Sequence, residues 1–516
     1  GARSVRLPMA SSGEGVGRVD LDRVVCLDDL ERAAGRVMDR QDFDYFAGGA
    51  ETESTLRANA SAFADVTLWP RVLVDVRDVD TSTSAPAIGL GRKLRTPLLV
   101  APVAMQSMAH PDGERAAVRA CASRGVPYCA AQQATTSVER IARACEGGGI
   151  GDGGGARMWF QLYVRRDRAA TAALARRAAL AGATAIVVTV DAPTLGRRER
   201  DVRNGFKMRD GLKLANVDHG GGNDSDSDSS ESSERPSSSD ASAAQKRIAK
   251  RVGDRDASLT WSSLIPWLKS IVPALPIILK GVMTREDAAL AVAHGVDGVW
   301  VSNHGGRQLD GAPSTLRALA EVVAGVNDGR NGKATSVTQT ATENVVPVVF
   351  DGGVRRGSDV LKALALGADV VAIGRPVAWG LACGGEAGVR KAIDVLTEEL
   401  ESSMRLAGVT SARDAREKGI ARAAWTSPSP RAPTTATGGR RRGDVVVSRG
   451  LPIPIIGGLF TPPVLAVMYV FVCIRFWLGY NKTSFTEKNK AMMVGLWPVL
   501  AVASASFREN LKKAAF

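Results

Sequence analysis

A (β/α)8 TIM-type barrel is the fold class this sequence predicts, and three observations predict it. Between about residues 95 and 376, eight short apolar runs alternate with Ala-rich segments of helical pattern. Each run is almost continuously apolar, as parallel strands are when helices cover the sheet. The phrases AGATAIVV, HGVDGVWV and LGADVVAI recur just before and into three of the runs, each reading as a helix-ending Gly, a tight turn and a buried strand. A doubly wound open sheet is the alternative compatible with the same alternation.

In chain order the runs are LLVAPVAM (98–105), PYCAAQ (127–132), MWFQLYV (158–164), AIVVTVD (185–191), PIILKG (276–281), GVWVSN (298–303), VPVVFDGG (346–353) and VVAIGR (370–375). A barrel places its chemistry at the C-terminal ends of the strands. Polar side chains gather there: Gln161 and Tyr163, Thr189 and Asp191, Lys280, Ser302 and His304, Asp351, and Arg375.

The flanking segments differ in composition. Residues 1–19 are polar and basic and read as a disordered, targeting-like N-terminus ahead of a barrel over 20–426. Three inserts interrupt the pattern: EGGGIGDGGG (146–155), NDGRNGKATSVTQTATEN (327–344), and an acidic, Ser-rich stretch within about 218–257 that is too polar to bury a core and is expected to be disordered. A helix-rich region (385–425) follows the last strand, then a Pro/Ser/Thr/Arg linker (427–449). In the tail (450–516), residues 450–474 carry no charged side chain, long enough for a transmembrane helix, and 491–507 form a second uncharged stretch.

Charge points the same way. Of the net +13, residues 427–516 contribute 12 Lys+Arg against 3 Asp+Glu, or +9. Basic residues beside apolar runs suit an anionic membrane surface and argue against nucleic acid. Six scattered cysteines without CxxC or zinc spacing argue against disulfides and a structural metal.

His304 is one of only four histidines, in VSNHGGRQLDG (301–311), and Arg307 follows three residues later. An imidazole is a useful base near neutral pH, and a buried carboxylate such as Asp191 fixes its tautomer. Arg198 and Arg307 suit an anionic substrate, because guanidinium binds carboxylate in bidentate fashion. Lys280 places a fixed positive charge where a cofactor could develop negative charge. DGGVRRG (351–357) and the pair Gly374 and Arg375 close the last two strands, a frequent phosphate site in barrels. With no GxGxxG and no GxxxxGK[ST], the phosphate is that of a mononucleotide.

These residues carry a resemblance. SNHGGRQLD, DGGVRRGSDVLKALALGA, IGRP, TVDAPTLGRRE, QLYV, ILKGV and PVAMQSMAHPDGE resemble, in order from about residue 22 to 426, the FMN-dependent 2-hydroxy acid oxidase/dehydrogenase family, above all its plant-type glycolate oxidase branch. The resemblance implies FMN as cofactor and oxidation of L-2-hydroxy acids to 2-oxo acids, with oxygen or another acceptor taking the electrons. It implies His304 as base with Asp191 as partner, and Arg198, Arg307, Tyr45 and Tyr163 as substrate binders. It implies FMN contacts from Pro102, Val103, Ala104, Gln161, Thr189, Lys280 and Ser302, and from Asp351, Gly352, Gly353, Arg355, Gly374 and Arg375. Departures are Ala131 in place of a flavin-contacting Ser, and Gln133 in place of a Trp in the glycolate pocket. A homo-oligomer is expected. The chain ends KKAAF rather than in an SKL-type tripeptide, so an organellar membrane, plastid above all, is expected in place of the peroxisome.

Overall fold

The computed structural model describes residues 19–146, 157–217, 254–333 and 346–425. All eight predicted strands form. They are β1 (Leu98–Val100), β2 (Tyr128–Ala130), β3 (Met158–Leu162), β4 (Ala185–Thr189), β5 (Ile277–Val282), β6 (Gly298–Val301), β7 (Val348–Asp351) and β8 (Val370–Ile373). Neighbours pair in parallel all the way round, and β8 pairs with β1 to close the barrel. Closure excludes the open sheet. A helix follows each strand, from Gly113–Arg124 after β1 to the long Arg375–Ala407 after β8, which breaks at Gly384 and Gly385.

Strand residues alternate between two cores. One side packs outward against the helices. The other fills the barrel with Leu99, Cys129, Trp159, Val187, Ile278, Trp300 and Val349, and Trp159 meets Trp300 edge to face at 6.3 Å between centroids. A hairpin absent from the sequence reading, Thr83–Ala85 with Leu90–Leu94, joins this inner cluster through Ile88 and Leu90. Ile88 occupies the space a side chain on β6 would need: a Cβ on Gly298 would lie 2.4 Å from Ile88 Cγ2. With the interior filled by apolar side chains, the polar chemistry is left to the C-terminal strand ends.

Two insert boundaries are corrected. The predicted disordered stretch does not extend to residue 257: Asp254 to Ala257 are ordered, and Arg166 N and Asp256 N bond to Asp254 O and Val164 O at 2.7 and 2.9 Å. The polar excursion before β7 begins as helix, because Thr315–Lys333 is continuous through NDGRNGK. The N-terminal segment 1–18, the Gly-rich loop at 147–156, most of the acidic insert, the linker and the whole apolar tail lie outside the described residues. Among the described residues no helix is long and apolar enough to cross a membrane. The five described cysteines are buried, and no group of side chains among the described residues could hold a metal ion.

Candidate active site

A cavity of about 1050 Å³ opens at the C-terminal strand ends. Every predicted site residue lines it except Asp191 and Ser302, which stand just behind. That volume is at the upper end of ordinary ligand sites and accommodates a cofactor together with a small substrate.

The loop after β6 carries the central side chain. His304, Gly305 and Gly306 take left-handed φ values of 61°, 66° and 74° in succession. Glycine adopts that conformation freely, whereas for His304 it is strained. His304 N donates to Ser302 Oγ at 3.1 Å, and Ser302 Oγ donates to Asp351 Oδ1 at 2.8 Å, holding the strained residue in place. A Cβ on Gly306 would lie 2.6 Å from Leu56 N, so only glycine lets the loop pass this close to the N-terminal helices.

His304 Nδ1 lies 2.8 Å from Asp191 Oδ1, and His304 Nε2 lies 3.4 Å from the Tyr163 hydroxyl. Burial lowers the imidazole pKa below 6.5, outweighing the upward pull of Asp191, so His304 is neutral near pH 7. Burial alone would raise the Asp191 pKa, but His304, Lys280 and Arg255 overcome it and keep the carboxylate ionised. A neutral imidazole whose Nδ1–H is held by a carboxylate presents Nε2 as proton acceptor.

Two arginines are aimed by a feature the sequence did not advertise. The helix Arg40–Ala47 ends at the cavity, and its last carbonyls hold them: Arg307 donates to Tyr45 O and Gly48 O, both at 2.7 Å, and Arg375 to Phe46 O and Gly48 O, both at 2.9 Å. The negative end of the helix dipole favours cations there. Burial and then mutual repulsion still lower both, Arg307 to about 10 through Arg198, and Arg375 to about 9 through Arg307 and Arg355. Arg198 Nε is buried without a hydrogen-bond partner. Such a cluster is suited to receive anions.

Tyr45 is buried against Phe206, their rings stacked at 4.7 Å, and burial raises its pKa so that the hydroxyl stays protonated. Lys280 is buried, its Nζ 2.9 Å from Ser302 Oγ and 3.5 Å from Asp351. Burial lowers its pKa, but Asp351 and Asp191 outweigh that and keep it charged. Gln161 donates to Thr189 Oγ1 at 3.0 Å and accepts from Gln132 N at 3.2 Å.

These residues fit FMN. Arg375 forms no ion pair among the described residues, bonding only carbonyl oxygens, and with Arg355 it lines the cavity beside Gly352, Gly353 and Gly374. Arg355 pairs with Glu31 at 3.6 Å, so the uncompensated charge a phosphate would meet is chiefly that of Arg375. Gly352 and Gly353 have φ of 112° and 80°, and a Cβ on Gly353 would lie 2.0 Å from Asn59 O, so the turn after β7 requires glycine. Lys280 stands where charge on a ring system would be neutralised, and Pro102 to Ala104 supply backbone along the wall.

Two contributors escaped the sequence reading. Gln308 Nε2 bonds Asp191 O and Thr194 O at 3.2 and 2.8 Å, tying the loop after β4 to the loop after β6. Arg255 lies over the Tyr163 ring at 3.8 Å, and its only signal was its place between two aspartates.

The FMN-dependent dehydrogenase model matches residues 34–422. The chain is 42% identical over 409 residues to glycolate oxidase of Spinacia oleracea, covering 79% of this chain and 98% of that one. It is 41% identical over 388 residues to 2-hydroxyacid oxidase 1 of Homo sapiens, covering 75% and 94%. A solved structure, the crystal structure of mandelate oxidase, superposes with a TM-score of 0.63 at 40% identity, covering 76% of this chain and 97% of that one. With its closed barrel and its anion-ready strand ends, this chain belongs to the FMN-dependent dehydrogenase family.

Proposed function

We infer that this chain oxidises L-2-hydroxy acids to 2-oxo acids with FMN, oxygen taking the electrons and leaving as hydrogen peroxide. The observation that carries the reading is the His304 imidazole, neutral, fixed by Asp191 and turned towards Tyr163 in a cavity lined by Arg198 and Arg307. When bound, FMN would take up the two electrons and one of the two protons that the oxidation removes from the substrate, the other going to His304.

The chain's own residues do the rest. Arg198 and Arg307 bind the substrate carboxylate. The Tyr45 and Tyr163 hydroxyls hold its oxygens, placing the hydroxyl-bearing carbon next to His304. His304 Nε2 takes the proton, and Asp191 stabilises the imidazolium that forms. Arg355 and Arg375, with the glycines after β7 and β8, would hold the phosphate; Lys280, Gln161 and Thr189 would hold the ring and ribityl chain, with Ser302 behind them fixing Lys280. The product leaves and His304 releases its proton.

Supplying glycolate, L-lactate and longer 2-hydroxy acids to the FMN-loaded protein in air tests this. Equal yields of 2-oxo acid and peroxide support the reading; no 2-oxo acid from any of them contradicts it. The uncharged stretch 450–474 supports a second reading of the acceptor, with the chain held at an organellar membrane and a quinone in place of oxygen. Reduction of a soluble quinone faster than oxygen, and recovery of the full chain with membranes, would favour it.

A further inference from the structure

The returning end of the acidic insert delivers a third guanidinium to the cavity. Asp254 pairs with Arg165, and Asp256 with Arg168 at 2.7 Å. Backbone bonds lay this stretch antiparallel to the segment leaving β3. Alternate residues of extended chain point to opposite sides, so the two aspartates hold the outside while Arg255 turns in. It is 8% exposed, lies 3.8 Å over the Tyr163 ring and donates to Ala192 O at 3.0 Å.

The charge around it is unbalanced. Arg198, Arg255 and Arg307 all line the cavity; Asp201 lies there too and acts on Arg307 and Arg198, while Asp191 behind it is engaged with His304. Burial lowers the Arg255 pKa, and Arg198 lowers it further. Arg255 forms no ion pair among the described residues, and a monocarboxylate held by Arg198 and Arg307 leaves it without one. Arg307 sits over the Tyr45 ring at 5.1 Å and Arg255 over that of Tyr163, so the two cations are held on different tyrosines rather than as one clamp. Gln133 and Arg166 add further polar groups to the cavity lining.

We propose that Arg255 is a specificity-determining residue that binds a second anionic group at the end of the substrate remote from the hydroxyl-bearing carbon, so that short 2-hydroxy dicarboxylates are the preferred substrates. This rests on the hydroxy acid oxidation inferred above and names the substrate class within it. A guanidinium pairs with a carboxylate through two parallel hydrogen bonds, and a buried guanidinium gains most from such a partner.

The test compares matched pairs on the FMN-loaded protein: 2-hydroxybutanoate with 2-hydroxybutanedioate, and 2-hydroxypentanoate with 2-hydroxypentanedioate. The expected kcat/KM favours each dicarboxylate by about 10- to 100-fold, the range of a hydrogen-bonded charge pair. Arg255→Met removes that preference with the FMN spectrum intact, and Arg255→Lys keeps part of it. Calorimetry supplies a readout apart from turnover: butanedioate binds the wild-type holoprotein more tightly than butanoate does, and Arg255→Met abolishes the difference. The proposal is overturned if the wild-type protein oxidises the monocarboxylates as well as or better than the diacids, a comparison that needs no variant to fold. It is also overturned if Arg255→Met lowers both classes equally, which would confine Arg255 to positioning Tyr163. If neither class reduces the FMN, the hydroxy acid reading falls with it; oxidation of monocarboxylates alone leaves that reading standing and sinks only this one.

Discussion

His304 Nδ1 and Asp191 Oδ1 lie 2.8 Å apart, joining residues 113 positions distant in the chain, and burial holds the imidazole neutral while Asp191 stays ionised. The imidazole is therefore able to accept a proton at neutral pH without losing one first, and the carboxylate is in place for the charge an imidazolium would carry.

The pH profile follows from the sign of these shifts. A base with a lowered pKa is active above that value, so kcat/KM should fall on the acid side only below pH 6.5 and stay level through neutrality. Asp191 raises the imidazole pKa, so Asp191→Asn should move the acid limb lower still while reducing the plateau roughly 100-fold or more. Steady-state profiles of the two proteins check this; an acid limb that moves upward in Asp191→Asn would contradict the assigned direction.

Arg375 should matter for holding FMN more than for the proton. Arg375→Met removes a buried guanidinium that forms no ion pair among the described residues. Losing its charged hydrogen bonds to the phosphate should weaken FMN binding by about 1.5–3 kcal/mol. Release of FMN fluorescence on dilution measures it. Retention equal to the wild type would remove Arg375 from the phosphate site.

The inner core gives a stability prediction separate from chemistry. Gly298→Ala places a Cβ 2.4 Å from Ile88 Cγ2, an overpacking that should cost about 1–3 kcal/mol. Combining it with Ile88→Ala, which removes the Cγ2 that the new Cβ would meet, should cost less than the sum of the two single changes, because the two sites share one space. Urea midpoints of the single and double variants test the coupling; strict additivity would mean Ile88 does not fill that position.

The barrel was legible because each strand is a continuous apolar run ending in polar residues, and His304, Asp191, Lys280 and Asp351 sit at those ends in the sequence as in space. What escaped detection depends on long-range packing. Ile88 sits in a short 3-10 turn with no periodic signal, and its role appears only against Gly298. The carbonyls of Phe46 and Gly48 carry no side-chain signature, yet they aim Arg307 and Arg375. Arg255 was hidden by composition: its neighbours 218–253 read as polar and acidic, and the few residues that return to the barrel share that chemistry while making backbone bonds to it.

The proposed function stands on removal of the substrate proton by His304. General-base catalysis is worth about 10²–10⁴ in rate. The most direct measurement is anaerobic stopped-flow reduction of the bound FMN by a 2-hydroxy acid, for the wild-type protein and for His304→Ala. The wild-type flavin band is expected to bleach, and His304→Ala to keep its FMN but lose reduction by about 10²–10⁴ in rate. A variant that retains FMN and is reduced at the wild-type rate would contradict it.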